Sequence, residues 1–225
     1  MLSNGLKALL IISLAFALGA GTSAPAKPRA KGAVVELPKP ADKGKVSIEE
    51  ALWKRRSVRS FTADKLSETE LSQLLWSAQG TSEPQRRLRT APSAGATYPL
   101  ELYAVTSDGI YRYDCRRHAV ELVKDGDYRQ SLSDAALGQG CVRQAPVSFV
   151  ITGVYARTAG KYGKRAERYV HIEVGCAAEN LMLEAAALGL GSVAVGAYDD
   201  NNVAKVLGVQ SDEIPLLIIP VGKPA

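Results

Sequence analysis

The chain has 225 residues, 46% of them hydrophobic and 23% charged, which supports one well-packed domain and is too little for two of ordinary size. Its formal charge of +5 is concentrated at one end: residues 1–45 hold seven Lys and Arg against Glu36 and Asp42, so residues 46–225 are neutral. A folded body without net charge excludes a generic nucleic-acid-binding surface.

The elements follow in chain order. Lys7 precedes an apolar run of thirteen residues, Ala8 to Ala20, and the small residues GAGTSAPA come next. This is the pattern of a secretory signal peptide, placed at 1–24 with cleavage after Ala20 or Ala24, and its apolar run is too short to span a bilayer. No Cys there offers a lipid anchor and no Arg pair precedes the run, so general secretion is expected. The expected location is periplasmic or secreted, or membrane-anchored if the segment is kept. Residues 25–45 are rich in Pro, Lys and Ala and read as a flexible tether, leaving 46–225 as the folded domain.

Ser47-Ile-Glu-Glu50 and Ser67-Glu-Thr-Glu70 are capping boxes and predict two helices. The second carries Leu71, Leu74, Leu75 and Ala78 on one face and stops at Gly80. Small residues from Ala91 to Pro99 lead into a strand, Leu100 to Val105. With Ile110 to Tyr113 and Ala119 to Val123 it makes an antiparallel meander through the turn Ser107-Asp108-Gly109. A helix over 128–137 and a buried strand in VSFVITGVY follow. A long helix runs from Tyr169 to Leu188, its inward stripe read as Tyr169, Ile172, Glu173, Cys176, Ala177, Asn180, Leu181, Glu184 and Leu188. SVAVGAY reads as a short strand, 199–207 as a short helix, and IPLLIIPVG as the closing strand. Helices around a largely antiparallel sheet make an α+β protein.

Cys115, Cys141 and Cys176 form no CxxC pair, and His118 and His171 are the two histidines, so neither a zinc site nor a paired-thiol redox centre is expected. A Cys115–Cys141 disulfide is compatible with export, and Cys176 reads as a small core residue.

Three stretches carry candidate chemistry. Arg55-Arg56-Ser57-Val58-Arg59 offers forked cations and a hydroxyl, the donors a phosphate requires, or else a solvated helix end. Ala91 to Pro99 has side chains small enough to let backbone approach a flat ligand, or it is an ordinary loop. LGLGSVAVGAYDD lacks the spacing of a dinucleotide fingerprint. Taken in order, RRSxRxF, WSAQG, APSAGATYP, KYGKRAERY, LGLGSVAVGAY and IIPVGK resemble the flavin-dependent nitroreductase superfamily, and within it the SagB-type branch, over residues 37–223.

That resemblance implies a nitroreductase-like fold with a long central helix, and FMN bound without a covalent link at a homodimer interface. It implies Arg55 and Ser57, with Arg56 beside them, on the FMN phosphate and ribityl chain, and Arg59 at the pyrimidine end. Pro92, Ser93, Ala94 and Gly95 would come from the second subunit and lie along the flavin ring. Val195, Gly196 and Ala197 would present backbone near the hydride-accepting nitrogen, and Lys223 would add a phosphate contact. Lys161 and Tyr162 match a pair that removes the substrate proton. Ala96 and Tyr98 stand where the wider superfamily often has Asn and Gln, a departure that fits the SagB-type branch. The implied activity is hydride exchange between FMN and an organic substrate: an azoline-containing peptide, a quinone or a nitro compound. Residues 80–90, GTSEPQRRLRT, read as a flexible rim for such a substrate. The competing reading is a non-catalytic flavin-binding envelope protein.

Overall fold

Alternation along the central strands decides the architecture. In β4 (Leu100–Thr106), Leu100, Leu102 and Ala104 pack into one apolar cluster, while Tyr103 and Val105 pack into another on the opposite face. A strand whose neighbouring side chains point to opposite faces, all of them apolar, must lie in a sheet covered on both sides. The structure, a computed structural model, describes residues 30–225. The expected signal peptide lies outside the described residues.

The sheet has seven strands, all antiparallel to their neighbours, in the order β1 (Val34–Glu36), β6 (Ala119–Asp125), β5 (Gly109–Asp114), β4, β7 (Val147–Gly153), β9 (Ile214–Gly222) and β8 (Gly191–Ser192). One face is covered by α2 (Glu68–Gln79) and α6 (Ala166–Ala187), whose Leu74, Leu75, Val170, Val174 and Leu181 are fully or nearly buried. The other is covered by α3 (Arg129–Ala135), α4 (Gly140–Gln144) and α7 (Asp200–Leu207) through Leu132, Val142, Val203 and Leu207. The three-layer α+β arrangement matches the expectation, as do the meander and the long helix.

Several expectations change. Residues 34–41 are not a free tether: Val34–Glu36 pair with Glu121–Ala119 in β6, and the Ala41 N–H donates to Gln73 at 2.8 Å. The β-branched pair in AVVEL extends an open sheet edge, a signal that the surrounding Pro and Lys hid. Residues 80–90 contain a bulged hairpin, β2 (Thr81–Glu83) and β3 (Leu88–Arg89). All three cysteines are free; Cys115 packs against one core cluster and Cys141 in the other, so the sheet stands between them. The inward stripe of α6 is Val170, Glu173, Val174, Ala177, Ala178, Leu181 and Ala185, rotated from the expected one, and Ile172 is 58% exposed.

Two further elements matter to the site. α1 (Ile48–Lys54) precedes the Arg55–Arg59 cluster, and α5 (Tyr155–Tyr162), where the sequence suggested strand followed by loop, ends on Lys161 and Tyr162. Among the described residues no helix is long and apolar enough to cross a membrane.

Candidate active site

The first group of expected residues sits at the β8–β9 edge of the sheet. Ser47 caps α1 by accepting from the Glu50 N–H, and the helix stops at Arg55, whose φ and ψ are no longer helical. The chain then runs extended along the edge. The Val58 N–H donates to the Ser192 carbonyl at 2.9 Å, the Thr62 N–H to the Lys223 carbonyl at 2.9 Å, and the Ala225 N–H to the Ser60 carbonyl at 3.1 Å. A methyl group on Gly191 would lie 2.7 Å from the Val58 side chain, so this close seat requires glycine. Nearby, Val195 exchanges two backbone hydrogen bonds with Ile218, and the Ala197 carbonyl accepts from Gln139 at 2.8 Å. Gly196 is exposed, and a methyl group on it would meet nothing within 4 Å.

Side chains here differ in how far they are committed. The Arg55 guanidinium lies 3.7 Å from Glu179 of α6, and Arg56 folds back onto the carbonyls of Trp53 and Arg55. Lys223 is 3.6 Å from Asp64, so its ammonium already has a local acidic partner. Ser57 and Arg59 are exposed, and among the described residues their side chains make no hydrogen bond or ion pair.

The second group is the turn from Pro92 to Tyr98 with the end of α5. Gly95, Ala96 and Tyr98 have φ of 59°, 55° and 46°. For Ala and Tyr this left-handed region costs roughly 1 kcal/mol each and persists only where the surroundings enforce it. Here they do. The Tyr98 N–H donates to Ser93 Oγ at 2.9 Å, Thr97 and Thr158 share a hydroxyl hydrogen bond of 2.9 Å, and Arg157 donates to the Tyr98 carbonyl at 3.1 Å. The Arg89 guanidinium stacks 4.5 Å above the Tyr98 ring.

Lys161 and Tyr162 converge on Gly95. Lys161 Nζ is 3.5 Å from the Gly95 carbonyl. A methyl group on Gly95 would come within 2.6 Å of the Tyr162 hydroxyl and 2.7 Å of Lys161 Nζ. Both polar tips therefore sit over one backbone position that only glycine leaves open. Tyr162 is braced edge-on by Tyr169, ring centres 4.9 Å apart. Arg157, adjacent in sequence, is ion-paired to Glu101 at 2.6 Å, which neutralises its charge. Lys164, Arg165 and Arg168 line a concave surface beyond it with Glu167, His171 and Ile172.

Beneath the turn lies a residue that the motif reading did not single out. Glu173 is 3% exposed. Burial pushes its carboxyl above the usual range, opposed by the nearby Ser93 hydroxyl, the charge of Arg89 and the Ala94 backbone. Its Oε1 is buried without a partner. The signal was present: an acid stood in the inward register of α6. No hydrogen bond or ion pair joins the two groups among the described residues. α6 touches both, through Glu173 under the turn and Glu179 beside Arg55.

The family model described as "Nitroreductase family" matches residues 52–223. The chain is 42% identical over 195 residues to the nitroreductase-named protein MJ1384 of Methanocaldococcus jannaschii, covering 84% of this chain and 96% of that one. It is 26% identical over 168 residues to the microcin B17-processing protein McbC of Escherichia coli, covering 69% of this chain and 61% of McbC, so it spans less than two thirds of that relative. A crystal structure described as a nitroreductase, from Ralstonia eutropha JMP134, superposes with a TM-score of 0.78 at 32% identity, covering 85% of this chain and 90% of that one. These findings bear out the resemblance read from the sequence, to the superfamily and, through McbC, to its SagB-type branch.

Proposed function

Because the chain belongs to the nitroreductase family of oxidoreductases, we propose that it is an FMN-dependent, SagB-type dehydrogenase-like enzyme that works as a homodimer. The observation that carries this reading is the division of the expected groups into two clusters on one chain. One offers uncommitted phosphate donors, Ser57 and Arg59, beside Arg55; the other offers a shelf of small residues under Lys161 and Tyr162. A second copy supplying the shelf to the first copy's donors would complete each site. Exposed apolar side chains favour that partner: Ile48, Leu52 and Trp53 on α1, the last 80% exposed, and Ile172 on α6.

The residues fit FMN. Guanidinium groups and a hydroxyl suit a phosphate, and open space at Gly196 leaves backbone free to approach a ring. When bound, FMN supplies two-electron exchange with an organic substrate. Arg55, Arg56 and Ser57 would bind its phosphate, and Arg59 would set positive charge beside the pyrimidine end, where reduction accumulates negative charge. Residues 92–95 would hold the ring and exclude water. Lys161 Nζ or the Tyr162 hydroxyl would take the proton that the substrate loses. Lys223, held near Asp64, contributes to phosphate binding only by leaving that partner. The likeness to McbC favours a peptide substrate. The N-terminal segment favours export, where an organic substrate would be oxidised and oxygen or a quinone would reoxidise the cofactor.

The test is the absorbance spectrum of the purified full chain after adding FMN and removing the excess. Flavin bands retained by a dimer, bleached by dithionite and restored by air, are expected. A folded protein that takes up no FMN overturns the assignments of Arg55, Ser57 and Arg59 together. FMN retained without turnover on any azoline peptide, quinone or nitro compound would favour the non-catalytic reading.

A further inference from the structure

We propose that the concave surface at the start of α6, lined by Lys164, Arg165, Arg168 and His171, is a docking site for an acidic peptide segment. Residues 46–225 are neutral as a whole, yet residues 157–168 hold five Lys and Arg against one acid, Glu167. Arg157 is engaged by Glu101. Lys164, Arg165 and Arg168 are exposed, and among the described residues no hydrogen bond or ion pair engages their side chains. They line a concavity of about 690 Å3, the size of a site for a whole ligand rather than a single ion. Tyr155 holds the fourth group, His171, through Nε2 at 2.6 Å, which leaves Nδ1 as the nitrogen open to a ligand.

Stability of the helix does not account for these cations. Arg165 and Arg168 stand one turn apart with Lys164 beside them, so like charges repel. All three crowd the N-terminal end of a 22-residue helix, whose dipole disfavours positive charge there. Glu167 forms no ion pair with any of them among the described residues. Bound carboxylates relieve this repulsion. Lys164, Arg168 and His171 follow at helical spacing and form a row about 10 Å long. In an extended peptide the side chains on one face recur every ~7 Å, so successive acids on one face of a strand can follow the row. The lining holds no Tyr, Trp or Phe on which a nucleic-acid base could stack, and a concave face does not lie flat on a bilayer. The surface adjoins the candidate chemistry. Lys164 follows Lys161 by three residues, and Tyr162 packs edge-on against Tyr169 near the start of α6, ring centres 4.9 Å apart. A peptide docked here presents its neighbouring residues to Lys161 and Tyr162; that last step rests on the proposed function, whereas the docking site does not.

The test is fluorescence anisotropy of a labelled peptide of alternating Glu and Gly, titrated with the full chain without FMN, against the matching peptide of alternating Gln and Gly. The Glu peptide is expected to bind about tenfold more tightly, and the preference should shrink as salt is raised. Arg165→Glu with Arg168→Glu should abolish the preference, and Arg165→Lys with Arg168→Lys should keep most of it. If the double reversal does not fold, Arg165→Gln with Arg168→Gln reads the same preference. Equal binding of the two peptides, or an undiminished preference in the reversed or neutral variants, overturns the docking site. So does a reversed variant that is a monomer by light scattering where the wild type is a dimer, because the surface would then belong to the second copy. A single-stranded oligonucleotide or phosphatidylserine vesicles that displace the Glu peptide at lower concentration than the unlabelled Glu peptide does would overturn it too. Turnover on the FMN-loaded chain separates this site from the proposed function. An azoline peptide with Glu flanks should show a KM about tenfold below that of one with Gln flanks, at similar kcat. Glu-peptide binding without turnover of any azoline peptide leaves the docking site and removes the proposed function. Turnover with equal KM leaves the proposed function and overturns the docking site.

Discussion

Gly95 concentrates the demands placed on a single residue. Its φ of 59° is open to glycine, and the space a methyl group would fill is held by Tyr162 and Lys161. These obstacles are the tips of flexible side chains, so Gly95→Ala should displace them rather than unfold the protein. The expected cost is about 1 kcal/mol in denaturant unfolding, with a far larger loss of turnover; equal activity would detach the Lys161–Tyr162 pair from the chemistry. His118 answers to pH instead. Tyr113 contacts its Nδ1 at 2.8 Å, while Ser72 and the Pro38 carbonyl contact Nε2 at 2.7 and 3.0 Å. Burial holds its ring below the ordinary histidine value, partly offset by the Pro38 hydrogen bond. The unfolded chain therefore binds the proton more readily than the folded one, and stability should fall as pH drops through the ordinary histidine value of 6.5. Thermal unfolding at pH 7.5 and 5.5 reads this, and His118→Gln should flatten the difference.

Among the elements, α2 shows local and tertiary terms acting together. Ser67 Oγ accepts from the Glu70 N–H at 3.2 Å, and the Glu70 carboxylate accepts from the Ser67 N–H at 2.7 Å. The reciprocal cap starts a helix whose Leu74, Leu75 and Ala78 are fully buried. Ser67→Ala should lower unfolding free energy by about 1 kcal/mol, read from the urea midpoint with an unchanged slope; no change would mean that packing alone sets the helix start. α5 is a different case. Its eight residues, YARTAGKY, include no capping side chain, and it stands because Thr158 and Arg157 bind the turn and α6 lies alongside.

For the whole molecule, the exposed apolar side chains of α1 and α6 set the expectation. An indole 80% exposed beside Leu52, at 54%, and Ile48, at 56%, is a surface suited to a partner. Trp53→Glu should convert a dimer to a monomer by light scattering and release FMN in the same step, because each site would take its shelf from the second copy. A monomer that still holds FMN would confine the site to one chain.

Much of the layout was legible because it is local. The cap at Ser47 and the capping box at Ser67, alternation in β4 and β7, and glycines after α2 and α6 each act over a few residues. The cluster Arg55–Arg59 and the small residues 92–95 could be named from chain order through a family resemblance. What only the tertiary structure decided was pairing across distance. β1 is an edge strand held by β6, about ninety residues away, and cysteines that an exported chain could join lie on opposite faces of a sheet. Glu173 looked like one polar residue in a helical stripe, and its environment is set by Ser93 and Ala94, which come from a different part of the chain. Short-range sterics and hydrogen bonds are written in neighbouring residues, whereas burial and charge depend on which distant segments the fold packs together.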